Sequence, residues 1–184
     1  MKSLLMIIPI SVVPVAAVFV WFKAVKVPLG LRWFALSLAA GILALGLSAF
    51  LQYLFFIYIK IENTMFVIFV RTALVEEAGR FLICIILFTI TWRVSRNNFL
   101  DIRFAAAAGL VSALAFAGLE SAWYIVDAPE GALLRSLAVP LHAACGARTA
   151  AAAAVRLKPA RAFPQFVKSA VIHGFYNYFI SVQG

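Results

Sequence analysis

Long apolar runs alternate along this chain with short clusters of charged and helix-breaking residues. Runs at 4–22, 32–59, 66–92, 103–126, 132–155 and 165–182 each approach the ~20 apolar residues that a helix needs to cross a bilayer. The second and third are long enough to tilt or to end in interfacial turns. Pro28, Pro129 and Pro159 fall between runs, where helix breakers belong. Pro140 lies inside the fifth and predicts a kink just before His142. Gly109, Ala113 and Ala117 recur at every fourth position, and the Ala-rich tracts 105–108 and 150–154 lie nearby in the pattern. Small residues so spaced predict close helix–helix contact with no lipid between. The pattern as a whole predicts an all-α, polytopic transmembrane helix bundle of about six spanning helices. It forms one integral membrane domain over residues 1–184, with residues 1–62 as accessory helices.

Composition narrows the class further. Apolar residues make up 65% of the chain, charged residues 12%, and the mean hydropathy is +1.03. A soluble enzyme, a disordered chain and a disulfide-built domain are all excluded by these values. Cys84 and Cys145 both sit in apolar runs, so no disulfide is expected. The N-terminal run imitates a signal peptide, but its length, Pro9 and Pro14, and the lack of a clear small-residue cleavage site favour a retained helix. The net charge of +9 would suggest nucleic acid in a soluble protein. Here it reads as loop charge, and no nucleic-acid partner is expected. Ten basic residues follow the first, third and fifth runs: Lys23, Lys26, Arg32, Arg93, Arg96, Arg103, Arg156, Lys158, Arg161 and Lys168. Four lie on the other side: Lys2, Lys60, Arg71 and Arg135. The positive-inside rule puts the ten in the cytoplasm and both termini outside.

Seven charged or titratable residues stand within the runs: Glu76, Glu77, Glu120, His142, His173, Arg80 and Arg148. An acidic or basic side chain at the centre of a spanning helix costs about 2.5–3.5 kcal/mol on insertion scales, and such residues mark functional sites by default. A polar network that merely glues helices is the bland alternative. Counted at about 1.5 Å per residue from each outer helix end, Glu76, Glu77, Glu120 and Asn177 lie roughly 8–9 Å deep, and His142 and His173 roughly 12–15 Å. Four helices thus deliver polar groups to one layer in the outer half of the membrane. Arg80 is three and four residues beyond Glu77 and Glu76, and can pair with either. His173 and Asn177 share a helix face at i,i+4, as do Phe116 and Glu120. Acids, histidines and an amide suit hydrolysis of an amide bond: a carboxylate takes a proton from water, and His and Asn donate to the oxyanion. Neither a Gly-x-Ser-x-Gly turn nor a His-Glu-x-x-His helix is present, and no aspartate lies within a run.

Four motifs carry a resemblance: Glu76-Glu77-Ala78-Gly79-Arg80, Phe116-Ala117-Gly118-Leu119-Glu120-Ser121-Ala122-Trp123-Tyr124, His142, and His173-Gly174-Phe175-Tyr176-Asn177. In this order they resemble the PrsW family of intramembrane proteases, related to the glutamate-type CAAX prenyl proteases and the bacterial self-immunity proteins. The resemblance covers residues 66–182, a four-helix core of the third to sixth helices. It implies Glu76 as the water-activating base with Glu77 its paired acid, and His173 and Asn177 as the oxyanion pocket. Glu120 would stand where the CAAX branch has a histidine, and His142 would be the extra histidine of the PrsW branch. It also implies a bacterial or archaeal cytoplasmic membrane and a membrane-tethered protein substrate cut near the outer face. Arg80 replaces the family's usual lysine, and Ser121 its usual asparagine.

Other chemistries use overlapping residues. No cofactor is required by the glutamate route, but His142, His173 and Glu120 could ligate Zn²⁺, with Glu76 or Glu77 as base. The stretch Ala144-Cys145-Gly146-Ala147-Arg148 resembles the Cys-Gly-Arg patch of exosortases, with Cys145 as nucleophile and His142 or His173 as base. A small cysteine packed among alanines explains it more simply. A catalytically inactive scaffold would use the same polar layer to hold a partner transmembrane helix. A transporter lacks support, since no internal repeat appears.

Overall fold

The computed structural model describes residues 2–27, 29–95 and 101–183. Pro28 and Arg96, and the side chains of Lys2 and Arg93, lie outside the described set. Among the described residues the chain is all helical, with no strand. Six helices follow one another: α1 (residues 2–24), α2 (Leu31–Tyr58), α3 (residues 64–95), α4 (Ile102–Asp127), α5 (Ala132–Ala154) and α6 (Pro159–Gln183).

Local chemistry accounts for the ends. Asn63 caps α3 by accepting from the Phe66 N–H at 3.1 Å. Asp101 caps α4 by accepting from the Arg103 N–H at 2.8 Å. Pro129 opens a short 3₁₀ turn, Pro129–Gly131, that leads into α5. Pro159, read as a breaker, is instead the first residue of α6, where its missing N–H is no loss. As a result α6 begins before the predicted position 165, and Arg161 and Lys168 are helical rather than loop residues. α5 continues through Pro140 as one helix.

Two helices contain π-wound stretches. One is Ile8–Val12 in α1, beside Pro9 and Pro14, each of which removes a backbone donor. The other is Val67–Leu74 in α3, which ends immediately before the acid pair. Such widened turns break the regular ladder and often adjoin functional sites.

Among the described residues, three helices are long and apolar enough to cross a membrane: Leu5–Ala24, Leu31–Tyr58 and Ile102–Asp127. The sequence pattern predicts six. The difference has a plain cause: α3, α5 and α6 are the helices that carry Glu76, Glu77, Arg80, Arg135, His142, Arg148 and His173.

Helix α4 is the centre of the bundle, with 61% of its span buried against 6% for α1 at the periphery. It packs most extensively on α5, then on α2. α5 in turn contacts α6 and α3. The α4–α5 seam is built from small residues. A Cβ on Gly109 would collide with Ala150 Cβ and the Gly146 carbonyl, and one on Gly146 would collide with Ala113 Cβ. Both helices therefore present small residues four apart, Gly109 and Ala113 against Gly146 and Ala150, and the backbones come into direct contact.

Candidate active site

Close packing at that seam brings α5 against α3 and α6, so that the polar residues meet in the interior. Glu76, Glu77, Arg80, His142 and His173 are all at most 3% exposed. Glu120 is close to buried, its side chain 16% exposed. The polar residues of four helices thus converge on one cluster, as the depth count anticipates.

Arg80 is the hub. Its Nη1 donates to Glu77 Oε1, and its Nη2 donates to Glu76 Oε2 at 3.3 Å. The same Nη2 lies 2.7 Å from His142 Nδ1. A guanidinium can only donate, so His142 Nδ1 accepts and its proton sits on Nε2. That Nε2 lies 3.2 Å from Glu120 Oε2. The guanidinium also stacks over the Phe116 ring, 4.0 Å from its centroid. Phe116 and Glu120 thus serve the site from one face of α4, at the i,i+4 spacing read from the sequence.

The two acids of the pair are not equivalent. Glu77 takes a bond from Arg80, a 2.6 Å bond from Thr149 Oγ1, and a contact from His173 Nδ1 at 3.2 Å. A carboxylate so engaged has little capacity left. Glu76 has longer contacts: Gln52 Nε2 donates at 3.1 Å, Arg80 at 3.3 Å, and His173 Nε2 stands 3.6 Å away. The His142 and His173 rings lie edge to face, 4.5 Å apart.

At the outer margin Arg135 Nη1 is 3.9 Å from Glu120 Oε1 and stacks on Tyr124 at 3.6 Å. Arg135 is assigned from sequence to an outer loop; it is a helical residue of α5 that faces the site. Asn177 is half-buried one turn from His173, and its side-chain amide makes no hydrogen bond among the described residues. Ser121 is fully buried, and among the described residues its Oγ has no hydrogen-bond partner; Ser48 Oγ, Arg80 Nε and Glu120 Oε2 are likewise without one of good geometry.

Gln52 and Thr149 are site residues that sequence reasoning passes over. Each is a lone uncharged polar side chain in an apolar run, a signal too common to single out. Cys145 belongs elsewhere: its Sγ donates to the Ser169 carbonyl at 3.7 Å, and Ser169 Oγ donates to the Cys145 carbonyl at 3.2 Å. These bonds join α5 to α6, and neither histidine partners the thiol.

Among the described residues, Glu76, His142 and His173 bring ligand atoms within 4.8 Å of one another, so the three could hold a metal ion once His142 gave up its contact with Arg80 or Glu120. The set differs by one member from the His142, His173 and Glu120 read from the sequence; Glu120 reaches His142 from outside the group. Two imidazoles and a carboxylate suit Zn²⁺. Glu77 at His173 Nδ1 fixes that ring with Nε2 inward, the usual outer-shell partner of a metal-ligating histidine.

No curated protein and no solved structure matches this chain. A family model does, over residues 28–184, a span that takes in α2 as well as the four helices bearing the motifs. The buried acid pair, its arginine and the two histidines lie within the matched span, and the chain belongs to the PrsW family of intramembrane metalloproteases.

Proposed function

We propose that this protein is an intramembrane endopeptidase that cleaves membrane-tethered proteins near the outer membrane face, with Glu76 activating water. The observation that carries this assignment is the asymmetry of the acid pair. Glu77 takes three contacts, from Arg80, Thr149 and His173, whereas Glu76 takes two hydrogen bonds, from Gln52 at 3.1 Å and Arg80 at 3.3 Å, and retains more lone-pair capacity to accept a proton from water. Glu77 then serves to anchor Arg80 and His173. With His173 Nδ1–H directed to Glu77, Nε2 carries a proton as well only in the imidazolium, and in that form it would donate to the developing oxyanion beside Glu76. The unbonded amide of Asn177, one turn away, is available to the same oxygen. All six helices span the membrane in this proposal, with both termini outside, α1 as an accessory helix and α3–α6 as the catalytic core. Gln52 of α2 supports Glu76.

A second mechanism is favoured by the Glu76, His142 and His173 grouping and by the family's description as metalloproteases. Zn²⁺ held there would lower the pKa of a bound water and polarise the scissile carbonyl. Against it stands Arg80, whose Nη2 lies between His142 Nδ1 and Glu76 Oε2 and places a positive charge beside two of the three ligands.

Both are tested on purified full-length protein by zinc analysis alongside cleavage of single-span membrane proteins. Under the glutamate mechanism, active protein contains no stoichiometric zinc. Glu76→Gln then lowers cleavage by about 10²–10⁴-fold with its thermal unfolding unchanged. Stoichiometric zinc lost together from Glu76→Gln, His142→Ala and His173→Ala would establish the metal mechanism instead. Full activity in Glu76→Gln would overturn both.

A further inference from the structure

The loop between α1 and α2 joins two helices that are each long and apolar enough to span a bilayer, so it lies at a membrane face whichever way the protein is oriented. Two adjoining clefts open there. One, of about 170 Å³, is lined by Lys23 and Lys26 with Phe19, Phe22 and Phe34. The other, of about 340 Å³, is lined by Lys26 and Arg103 with Trp21, Val25 and Leu110. Lys26 borders both, and its backbone takes the left-handed conformation, φ 55°, at the turn where α1 ends.

Three cations therefore line the two adjoining clefts, with Lys26 shared between them. Lys23 lies over the Phe19 ring, 5.7 Å from its centroid. None of the three has an acidic side-chain partner among the described residues; Asp101, the nearest acid in sequence, accepts from the backbone N–H of Arg103 rather than from its guanidinium. Lys23 lies in the last turn of α1, where a cation complements the helix dipole. Lys26, in the turn after α1, and Arg103, in the first turn of α4, are exposed cations that loop charge places on this side of the membrane, and the clefts between them add an apolar wall. A phosphate group held by unpaired cations with acyl chains against Trp21, Val25 and Leu110 satisfies both kinds of lining. Trp21 and Val25 are more than half exposed, open to such chains.

We propose that this recess is a binding site for an anionic phospholipid such as phosphatidylglycerol, with Lys26 and Arg103 on its phosphate. Basic pockets between membrane helices select anionic headgroups, and each Lys or Arg near the surface contributes about fivefold in affinity. The apolar walls commit the site to a lipid rather than to free phosphate.

The test uses full-length protein reconstituted in phosphatidylcholine vesicles containing a minor fraction of brominated phosphatidylglycerol or brominated phosphatidylcholine. The chain has four tryptophans, Trp21, Trp33, Trp92 and Trp123, so the part of the quenching that Trp21→Phe removes reports lipid beside Trp21. Wild type should be quenched preferentially by phosphatidylglycerol. Lys26→Gln with Arg103→Gln should lower that preference by more than tenfold, taking about fivefold for each cation. Lys158→Gln with Lys168→Gln, which removes two cations outside the clefts, should leave it intact. Equal quenching by both lipids in wild type would overturn the proposal, as would a preference that survives the first pair or is lost equally with the second. Displacement of phosphatidylglycerol by added inorganic phosphate would reassign the recess to a free anion and overturn the lipid site. Circular dichroism of each variant checks that a lost preference reflects the site and not unfolding, and Lys26→Arg with Arg103→Lys should restore it.

Discussion

Arg80 satisfies three partners with one planar fork: Glu77 through Nη1, and Glu76 and His142 through Nη2. Arg80→Ala leaves two carboxylates buried without a cation, and should cost about 3–5 kcal/mol, read as a large fall in thermal unfolding temperature in detergent. Arg80→Lys keeps the charge and gives up the fork geometry. It should retain the fold and show reduced cleavage, and wild-type activity in this variant would show that charge alone suffices. Cys145→Ser should cleave at the wild-type rate, because the thiol bonds only to the Ser169 carbonyl; abolished cleavage in a folded Cys145→Ser protein would revive a thiol mechanism. The acid pair and its arginine are legible in the sequence because their partners are three and four residues apart on one helix. Thr149 and Gln52 come from other helices, and nothing local marks them.

At the scale of the helix, small residues set how closely α4 and α5 approach. Gly109→Ala places a methyl group against the Ala150 Cβ and the Gly146 carbonyl. Backbone cannot yield as a side-chain tip can, so the substitution should destabilise by about 1–3 kcal/mol and lower activity by moving His142 from Arg80. Gly46 of α2 is a contrast, since nothing lies within 4 Å of a Cβ built there. Gly46→Ala should be neutral or stabilising by up to about 1 kcal/mol. Thermal unfolding of the two variants side by side checks the pair, and equal effects would refute the seam. The every-fourth spacing from Gly109 is visible in the sequence. Its counterpart, Gly146 and Ala150, is hidden in an Ala-rich tract where many registers look alike.

For the whole molecule, loop charge predicts the orientation. A reporter fused after Gly184 should register as extracytoplasmic, and one inserted in the turn at 155–158 as cytoplasmic. A cytoplasmic signal at the C-terminus would put the polar cluster nearer the inner face and remove the expectation of outer-face cleavage. The aromatic residues suit two interfaces: Trp21 and Trp33 lie near the α1–α2 turn, and Tyr58, Trp123 and Tyr124 near the opposite helix ends.

Apolar run length determined the six helices, since a segment that must satisfy its own backbone in lipid has little choice but to be helical. The cost of charge in lipid determined which residues to watch. Spacing on α3 further determined that Arg80 would meet the acids. Only the tertiary structure decided the rest. That Glu77 carries more contacts than Glu76 depends on Thr149, Gln52 and His173 arriving from three other helices. That Glu76 groups with both histidines, while Glu120 reaches only His142, depends on how α3, α5 and α6 meet. That Asn177 stands free of the network depends on the rotation of α6. Each is a relation between helices, set by angles and distances of packing that no periodicity within a single helix encodes.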